Sequence, residues 1–437
     1  TFVLRIEDTD SERNIDEAAL KIINDLKWLG IHYDEGPVLE GPCGPYVQSE
    51  RKEIYQQHLS DLVESQRVYR CFCTPKELEE ERKSQIEKKL PPRYNRKCLN
   101  LSSDQIKEKI AYGKTFIWRI RLNDQQVVSI KTLERGTIDF ALKNFSDFAL
   151  TRSDGSFTFL FANFIDDWLM KITHVIRGED HLTNTAMQAA LFDTLAIPMP
   201  IFFHLPMLCN KDGKKMSKRD FGFSLSDLKK KGFLPKAICN YLATIGGSFK
   251  EEIQSIKELS RSFDFENQHT TGAIHYDVEK LTWFNHQWIN KIPMDSLLKR
   301  ILPHLYSAFP QAKNLEKEKL VMLVEKIKDE IKTLDDVKEL LLFYFSDPKT
   351  NRSEIENKIG KEASDKILPI IQKSLSNLDD KSLLLKNIKD QGKEAGLKTK
   401  EILSPLRYLL TGSFSGMGIH DLLDMLENEQ IKDRLSI

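Results

Sequence analysis

Apolar residues follow two rhythms over the first two thirds of the chain and only one after that. Short apolar or alternating runs at 2–6, 116–122, 126–130, 137–141, 174–177 and 201–205 have the length and period of strands. Between them, residues 15–30, 54–68, 76–90, 161–167, 184–195 and 225–247 repeat at three and four or carry the charge of an exposed helix. Gly30 ends the first of these, Pro75 opens the third and Pro91-Pro92 closes it, and Gly232 breaks the last. Residues 33–46, rich in proline and glycine, read as a connecting loop, with Ser49 as the N-cap of the next helix. Residues 148–155 end in a hairpin turn, from which 157–161 pair back. Beyond about residue 293 no strand is predicted. There Leu320, Leu323, Val324, Ile327 and Ile331 make one amphipathic face. The aromatic run Leu281-Thr-Trp-Phe-Asn-His-Gln-Trp-Ile289 is expected in a core rather than as a base-stacking platform. The pattern is that of an α/β domain followed by helical ones.

The polar residues that change this picture stand where strands end. The run 2–6 finishes in an acidic cluster, Glu7, Asp8 and Asp10, at the carboxyl end where open α/β sheets bind ligands. These groups would meet cations such as a substrate ammonium, although Asp10 could equally cap the helix that starts near Ile15. Near the middle of the chain, Asn210-Lys-Asp-Gly213 is a turn signal followed at once by Lys214, Lys215, Ser217, Lys218 and Arg219. Cations on a glycine-flanked loop suit a phosphate chain, while the alternative is a solvated basic turn. Cys71-Phe-Cys73 and Cys98 have the character of soft metal ligands.

Three motifs together carry a resemblance. Lys215-Met-Ser-Lys-Arg219 is similar to the KMSKS signature of class I aminoacyl-tRNA synthetases, Arg5-Ile-Glu-Asp-Thr-Asp10 to the RIEDTD segment of their glutamyl and glutaminyl members, and Ile176-Arg-Gly-Glu-Asp-His181 to the second pocket segment of those members. Order and spacing fit, and residues 397–412 resemble the family's C-terminal GLKxKxxFxPLRxALTG run. The chain thus resembles the bacterial-type glutamyl-tRNA synthetases, essentially over its whole length.

The resemblance implies a class I Rossmann-like α/β catalytic domain at 1–66 and 156–222, split by an acceptor-stem-binding α/β insertion at 67–155. A stem-contact domain at 223–290 and an all-α anticodon-binding region in two parts, 291–370 and 371–437, would follow. It implies ATP-dependent ligation of L-glutamate to tRNA(Glu) through glutamyl-adenylate, with Mg2+ accompanying ATP. Glu7 would hold the substrate amino group, Arg5 support the pocket, and Asn163 contact the substrate. Arg177 would clamp the γ-carboxylate, because a guanidinium fork matches a carboxylate; the alternative is a structural ion pair with Glu7 or Asp180. Lys218, and after it Lys215, would neutralise phosphate charge, with Ser217 and His181 beside ATP. His181 is expected to line the pocket rather than act as a base, since the attacking carboxylate is already ionised. Asp10, Lys398, Lys400 and Arg407 would contact tRNA, the lysines and arginine through phosphates. Where the family has a tyrosine, Phe159 stands here.

Two departures qualify this expectation. Some glutamyl enzymes hold zinc through Cys-x-Cys…Cys-x-His, whereas here Asn100 takes the histidine position, so a fourth ligand is missing and zinc is not expected at Cys71, Cys73 and Cys98. The chain opens on Thr1-Phe-Val-Leu-Arg-Ile without an initiator Met, and nothing matches the family's HIGH motif, so an N-terminally incomplete copy is expected. That raises a second reading, a tRNA-binding protein without ligase activity. A third, the short paralogue that modifies a tRNA base, is disfavoured because it lacks an anticodon domain.

Composition narrows the classes further. With 437 residues the chain can hold two to four domains with ample cores. Its formal net charge is zero, so any RNA surface must come from local basic patches. No apolar run approaches the ~18 residues of a membrane span, and no signal peptide is recognisable. Six cysteines are too few for a disulfide scaffold and point to a reducing, cytoplasmic setting. A monomer is expected.

Overall fold

The computed structural model describes residues 1–8, 15–217, 219–222, 224–268 and 272–436. The chain divides into two compact units, Thr1–Asp220 with Leu242–Asp277, and Phe221–Tyr241 with Val278–Ile437.

In the first unit the helices are α1 (Ile15–Leu29), α2 (Lys52–Glu64), α3 (Pro75–Glu87), α4 (Ser103–Ala111), α5 (Phe159–Leu169) and α6 (Leu182–Thr194). The strands are β1 (Val68–Cys71), β2 (Ile117–Ile120), β3 (Val127–Thr132), β4 (Gly136–Ala141), β5 (His174–Gly178) and β6 (Ile201–Leu205). β4, β3, β6 and β5 form one sheet in that order. β3 and β4 pair antiparallel, whereas β5 and β6 run parallel, with Arg177 opposite His204. β1 and β2 make a separate antiparallel pair. The core is built where α2, α5 and α6 meet these strands, around the buried Tyr55, Leu59, Ile130, Phe161, Phe164, Phe192 and Phe202. α5 is apolar on almost every side, so the acids it carries, Asp166 and Asp167, are buried with it. A smaller cluster gathers Cys71, Phe72 and Cys98 under Phe116 and Tyr94.

Four expectations are corrected. Residues 2–6 pair in parallel only at isolated bridges, Val3 with Glu35 and Ile6 with Val47, and Phe2 stays exposed. Their partners lie in the proline- and glycine-rich loop, which cannot sustain a continuous ladder. Ser49 does not cap a helix; its own N–H donates to Asp8 Oδ1 (2.7 Å), so the acid reaches over from the other segment. α2 stops at Glu64 and Val68 starts a strand, since Arg67 N–H already bonds back to Leu62 O and Gln66 takes a positive φ. Of residues 157–161 only Phe157 and Thr158 reach back, Phe157 bridging Thr151 and Thr158 N–H donating to Leu150 O (2.9 Å), because α5 starts at Phe159.

The second unit is helical. Leu225–Lys230 and Pro235–Gly246 are separated at Gly232, whose φ is +82° and where a Cβ would lie 2.7 Å from the Leu334 backbone nitrogen. In Val278–Asn290, Phe284 and Trp288 are buried and Trp288 Nε1 donates to Asn240 (3.1 Å), while Trp283 faces outward. Leu320, Leu323, Val324 and Ile327 bury one face of Lys317–Ile327, and Ile331 is buried just past its end. Thr399–Thr411 ends on Gly412 in the left-handed region, its N–H closing on Tyr408 O (2.7 Å).

Candidate active site

The carboxyl end of residues 2–6 is tied to α5 by charge. Arg5 Nη1 donates to Asp167 Oδ1 and Nη2 to Glu7 Oε1, both at 2.9 Å, and Arg5 Nε lies 3.7 Å from Asp166 Oδ2. Burial works against the Arg5 charge, but Asp167, Glu7 and Asp166 together hold its pKa above the ordinary arginine value. Asp166 is fully buried and accepts from Gln48 Nε2 (2.8 Å), Arg51 Nε (2.7 Å) and Tyr55 OH (2.9 Å). Asp167 is less well supplied: burial pushes its carboxyl up to about 6 in spite of Arg5.

Glu7 continues this chain outward. Its Oε1 also accepts from Asn163 Nδ2 (2.5 Å), and Asn163 Oδ1 accepts from Gln188 Nε2 (2.9 Å). Glu7 keeps 34% of its side chain exposed, so an acid fixed on one oxygen still faces solvent. The structure thus brings Arg5, Glu7 and Asn163 into one hydrogen-bonded line.

Arg177, near the end of β5, is placed differently. Nη2 donates to Thr185 Oγ1 (2.5 Å), the guanidinium lies 5.4 Å from the Phe202 ring centre, and Nε is buried without a partner. Burial lowers its pKa, opposed by the fields of Asp167 and Glu7. Neither Glu7 nor Asp180 forms an ion pair with it among the described residues, so the alternative of a structural ion pair does not hold. Asp180 instead accepts Lys215 Nζ (2.6 Å).

The basic loop is organised by Asn210 and Asp220. Asn210 Oδ1 accepts the N–H groups of Asp212 and Lys214, both at 3.1 Å, and its amide donates to Asp220 Oδ1 (3.0 Å). Asp220 Oδ2 accepts both the N–H (2.8 Å) and the hydroxyl (2.9 Å) of Ser217. Lys215 and Ser217 are exposed on this loop, whereas Lys218 and Asp10 lie outside the described residues. His181, just ahead of α6, faces Asn184 across 3.1 Å and Phe159 at 6.2 Å between ring centres.

The sulfur cluster is closed by a residue the sequence did not suggest. Cys71, Cys73 and Cys98 bring their Sγ atoms within 4.8 Å of one another. Tyr94 OH lies 3.2 Å from Cys71 Sγ and 3.9 Å from Cys73 Sγ, and accepts the Cys98 N–H (3.1 Å). The missing fourth ligand was inferred from Asn100; the oxygen that stands among the thiols belongs to Tyr94. These four groups would hold a metal ion if one binds, in a structural rather than catalytic role. In the second unit Lys398 and Lys400 are exposed. Arg407 is not free in the same way: its Nε and Nη1 donate to the carbonyls of Met417 (3.0 Å) and Phe414 (3.2 Å).

Sequence reasoning missed Asp166, Asp167 and Gln188. Their signal was two adjacent acids in an otherwise apolar helix, a pair that burial tolerates only with cationic partners.

Known proteins of this kind match the chain from end to end. Residues 1–283 fit the catalytic domain of the class I tRNA synthetases for E and Q, and residues 296–437 an anticodon binding domain. The glutamate–tRNA ligase of Sulfurihydrogenibium sp. (strain YO3AOP1) is 40% identical, the alignment covering 100% of this chain and 91% of that one. The enzyme of that name from Aquifex aeolicus (strain VF5) is 37% identical over 99% and 90% of the two chains. The crystal structure of a glutamate tRNA ligase from Elizabethkingia meningosepticum CCUG26117, in complex with its amino acid, superposes with a TM-score of 0.84 at 28% identity, covering 99% of this chain and 91% of that one. The α/β unit thus lies within the catalytic-domain match and residues 296–437 of the helical unit make up the anticodon-binding match, and the chain belongs to the glutamyl and glutaminyl class I tRNA synthetases, among the glutamate–tRNA ligases.

Proposed function

We propose that this chain activates L-glutamate with ATP and transfers the glutamyl group to tRNA(Glu). The carboxylate of glutamate attacks the α-phosphorus of ATP and pyrophosphate leaves; the terminal ribose hydroxyl of the tRNA then attacks the acyl carbon, gives up its proton and takes the glutamyl group as AMP leaves. Such chemistry rests on positioning and on charge stabilisation. The observation that carries the reading is the Arg177 guanidinium, desolvated yet without a carboxylate in ion-pair range among the described residues, in the field of the acids built on Asp167 and Glu7. Glu7 takes the ammonium with Asn163 holding it in place, Arg5 fixes Glu7, and Arg177 takes the γ-carboxylate. Lys218 and Lys215 neutralise phosphate charge beside Ser217 and His181, and magnesium arrives with ATP as part of the substrate. Lys215 must leave Asp180 to do so. Lys398 and Lys400 are free to meet tRNA phosphates; Arg407 contributes by shaping the 413–417 loop.

No described helix is long and apolar enough to cross a membrane, and a cytoplasmic monomer is the form proposed. A tRNA-binding protein without ligase activity has no use for a guanidinium held in the pocket without an ion-pair partner, so that alternative is set aside. The test is Lys218→Ala, which should slow ATP–pyrophosphate exchange by at least ~100-fold, the scale of one lost transition-state charge partner. Glutamate affinity should barely change. Unaltered exchange would make Lys218 a surface lysine and refute the loop's role.

A further inference from the structure

Behind Arg177 runs a buried polar chain to which the reaction gives no part. Arg177 Nη2 donates to Thr185 Oγ1, Thr185 Oγ1 lies 2.8 Å from His204 Nε2, and His204 Nδ1 lies 2.8 Å from Glu134 Oε1. Thr185, His204 and the Glu134 side chain are all buried. A carboxylate only accepts, so Nδ1 carries a proton; with a neutral ring Nε2 accepts, and the Thr185 hydroxyl is shared between it and His181 O (3.2 Å). Burial and the nearby Arg177 charge lower the His204 pKa while Glu134 opposes them, which favours this neutral ring. Each donor in the series therefore faces away from Arg177, leaving the Thr185 oxygen to receive the guanidinium.

Resting on the reading of Arg177 as the glutamate clamp, we propose that Thr185, His204 and Glu134 are positioning residues that set amino-acid selectivity by fixing that guanidinium. A carboxylate placed directly on Arg177 would orient it but also neutralise it, competing with the substrate. A hydroxyl and a neutral imidazole orient it and leave its charge to the ligand, with the acid set two groups back. The acid comes from the turn between β3 and β4, which is itself fastened at three points. Glu134 also accepts the His204 backbone N–H (3.0 Å), Leu133 N–H donates to Phe202 O (2.9 Å), and Arg135 pairs with Glu179 (3.5 Å). The hairpin thus braces β6 and the residues that follow Arg177 together.

The test uses the full chain in pyrophosphate exchange with glutamate or glutamine, tRNA present. Thr185→Val keeps the side-chain volume and removes the hydroxyl. It should raise KM for glutamate by about tenfold to a hundredfold, the worth of a hydrogen bond to a charged group, with kcat within about twofold and glutamine kinetics unchanged. Thr185→Ser should restore wild-type KM, and Glu134→Gln should shift KM in the same direction by less. In an Arg177→Leu background Thr185→Val should add nothing, because the two act as one unit. Equal losses for glutamate and glutamine, or full additivity with Arg177→Leu, would make the chain merely structural and overturn the proposal. If Arg177→Leu alone preserves the preference for glutamate, the clamp reading itself fails and takes the proposal with it.

Discussion

The two ends of the candidate pocket treat a half-buried arginine in opposite ways. Arg5 sits among Glu7, Asp166 and Asp167, and its charge is met several times over. Arg177, desolvated by its surroundings, has a hydroxyl and an aromatic face but no described carboxylate in ion-pair range. A folded chain ordinarily supplies the counter-charge of an ion it buries. We therefore assign the first arginine to the architecture and propose the second as part of the specificity.

Four substitutions probe how differently the two arginines are held. Arg5→Ala should have the largest effect, leaving Asp167 buried without its cation, while Asp166 keeps Arg51, and costing about 3–5 kcal/mol of stability. Thermal or denaturant unfolding would measure it, and a loss under about 1 kcal/mol would contradict the architectural role. Arg177→Leu should behave in reverse: stability unchanged or raised, but glutamate affinity weakened by at least ~100-fold as the γ-carboxylate loses its partner. Glutamine should lose far less, narrowing the gap between the two without making a good glutamine enzyme.

Asp167→Asn tests the less well supplied of the two acids on α5. The folded carboxyl of Asp167 stands at about 6, above the ordinary 3.8, so the native state binds the extra proton and stability from this group falls as pH rises from about 4 to 6. An amide at this position cannot titrate, so the variant's unfolding free energy should lack this downward component, on the order of 1–3 kcal/mol. Parallel wild-type and variant curves across that window would refute the assignment. The smallest effect belongs to Asp180→Asn, which releases Lys215 from an exposed pair. It should alter stability by about 0.2–1 kcal/mol, and KM for ATP by less than about threefold. A large change would show that the pair governs the loop.

Local signals were legible and long-range pairings were not. β5, β6 and the break at Gly232 follow from apolar run length and glycine chemistry, which are properties of a few neighbouring residues. Arg5, Glu7, Asn163 and Arg177 could be singled out because each stands at a strand end or in a recognisable motif. What each one touches could not be read. Arg5 meets Asp167 across 162 positions and Tyr55 meets Asp166 across 111, and nothing in either segment encodes the other's side-chain direction. Ser49 shows the same limit: its type suggested a cap, but an acid 41 residues earlier provides one. Tyr94 escaped notice because its hydroxyl serves the thiols from outside the Cys-x-Cys pattern.

The pairing of Arg51 with Asp166 has a consequence for how the chain is made. During synthesis Gln48, Arg51 and Tyr55 are exposed well before the acid that they share, 115 positions after Arg51. At ~5–20 residues per second that interval is on the order of ten seconds, in which β1 and β2 with the helices between them can already assemble. The first 66 residues would then stay open until α5 emerges, and close on it at once. Ribosome-bound chains halted near residue 150 should therefore be cut by protease within 1–66 but not around β1 and β2, and chains halted near 220 should resist in both. Equal protection at the shorter length would show that the front of the chain folds without waiting for Asp166.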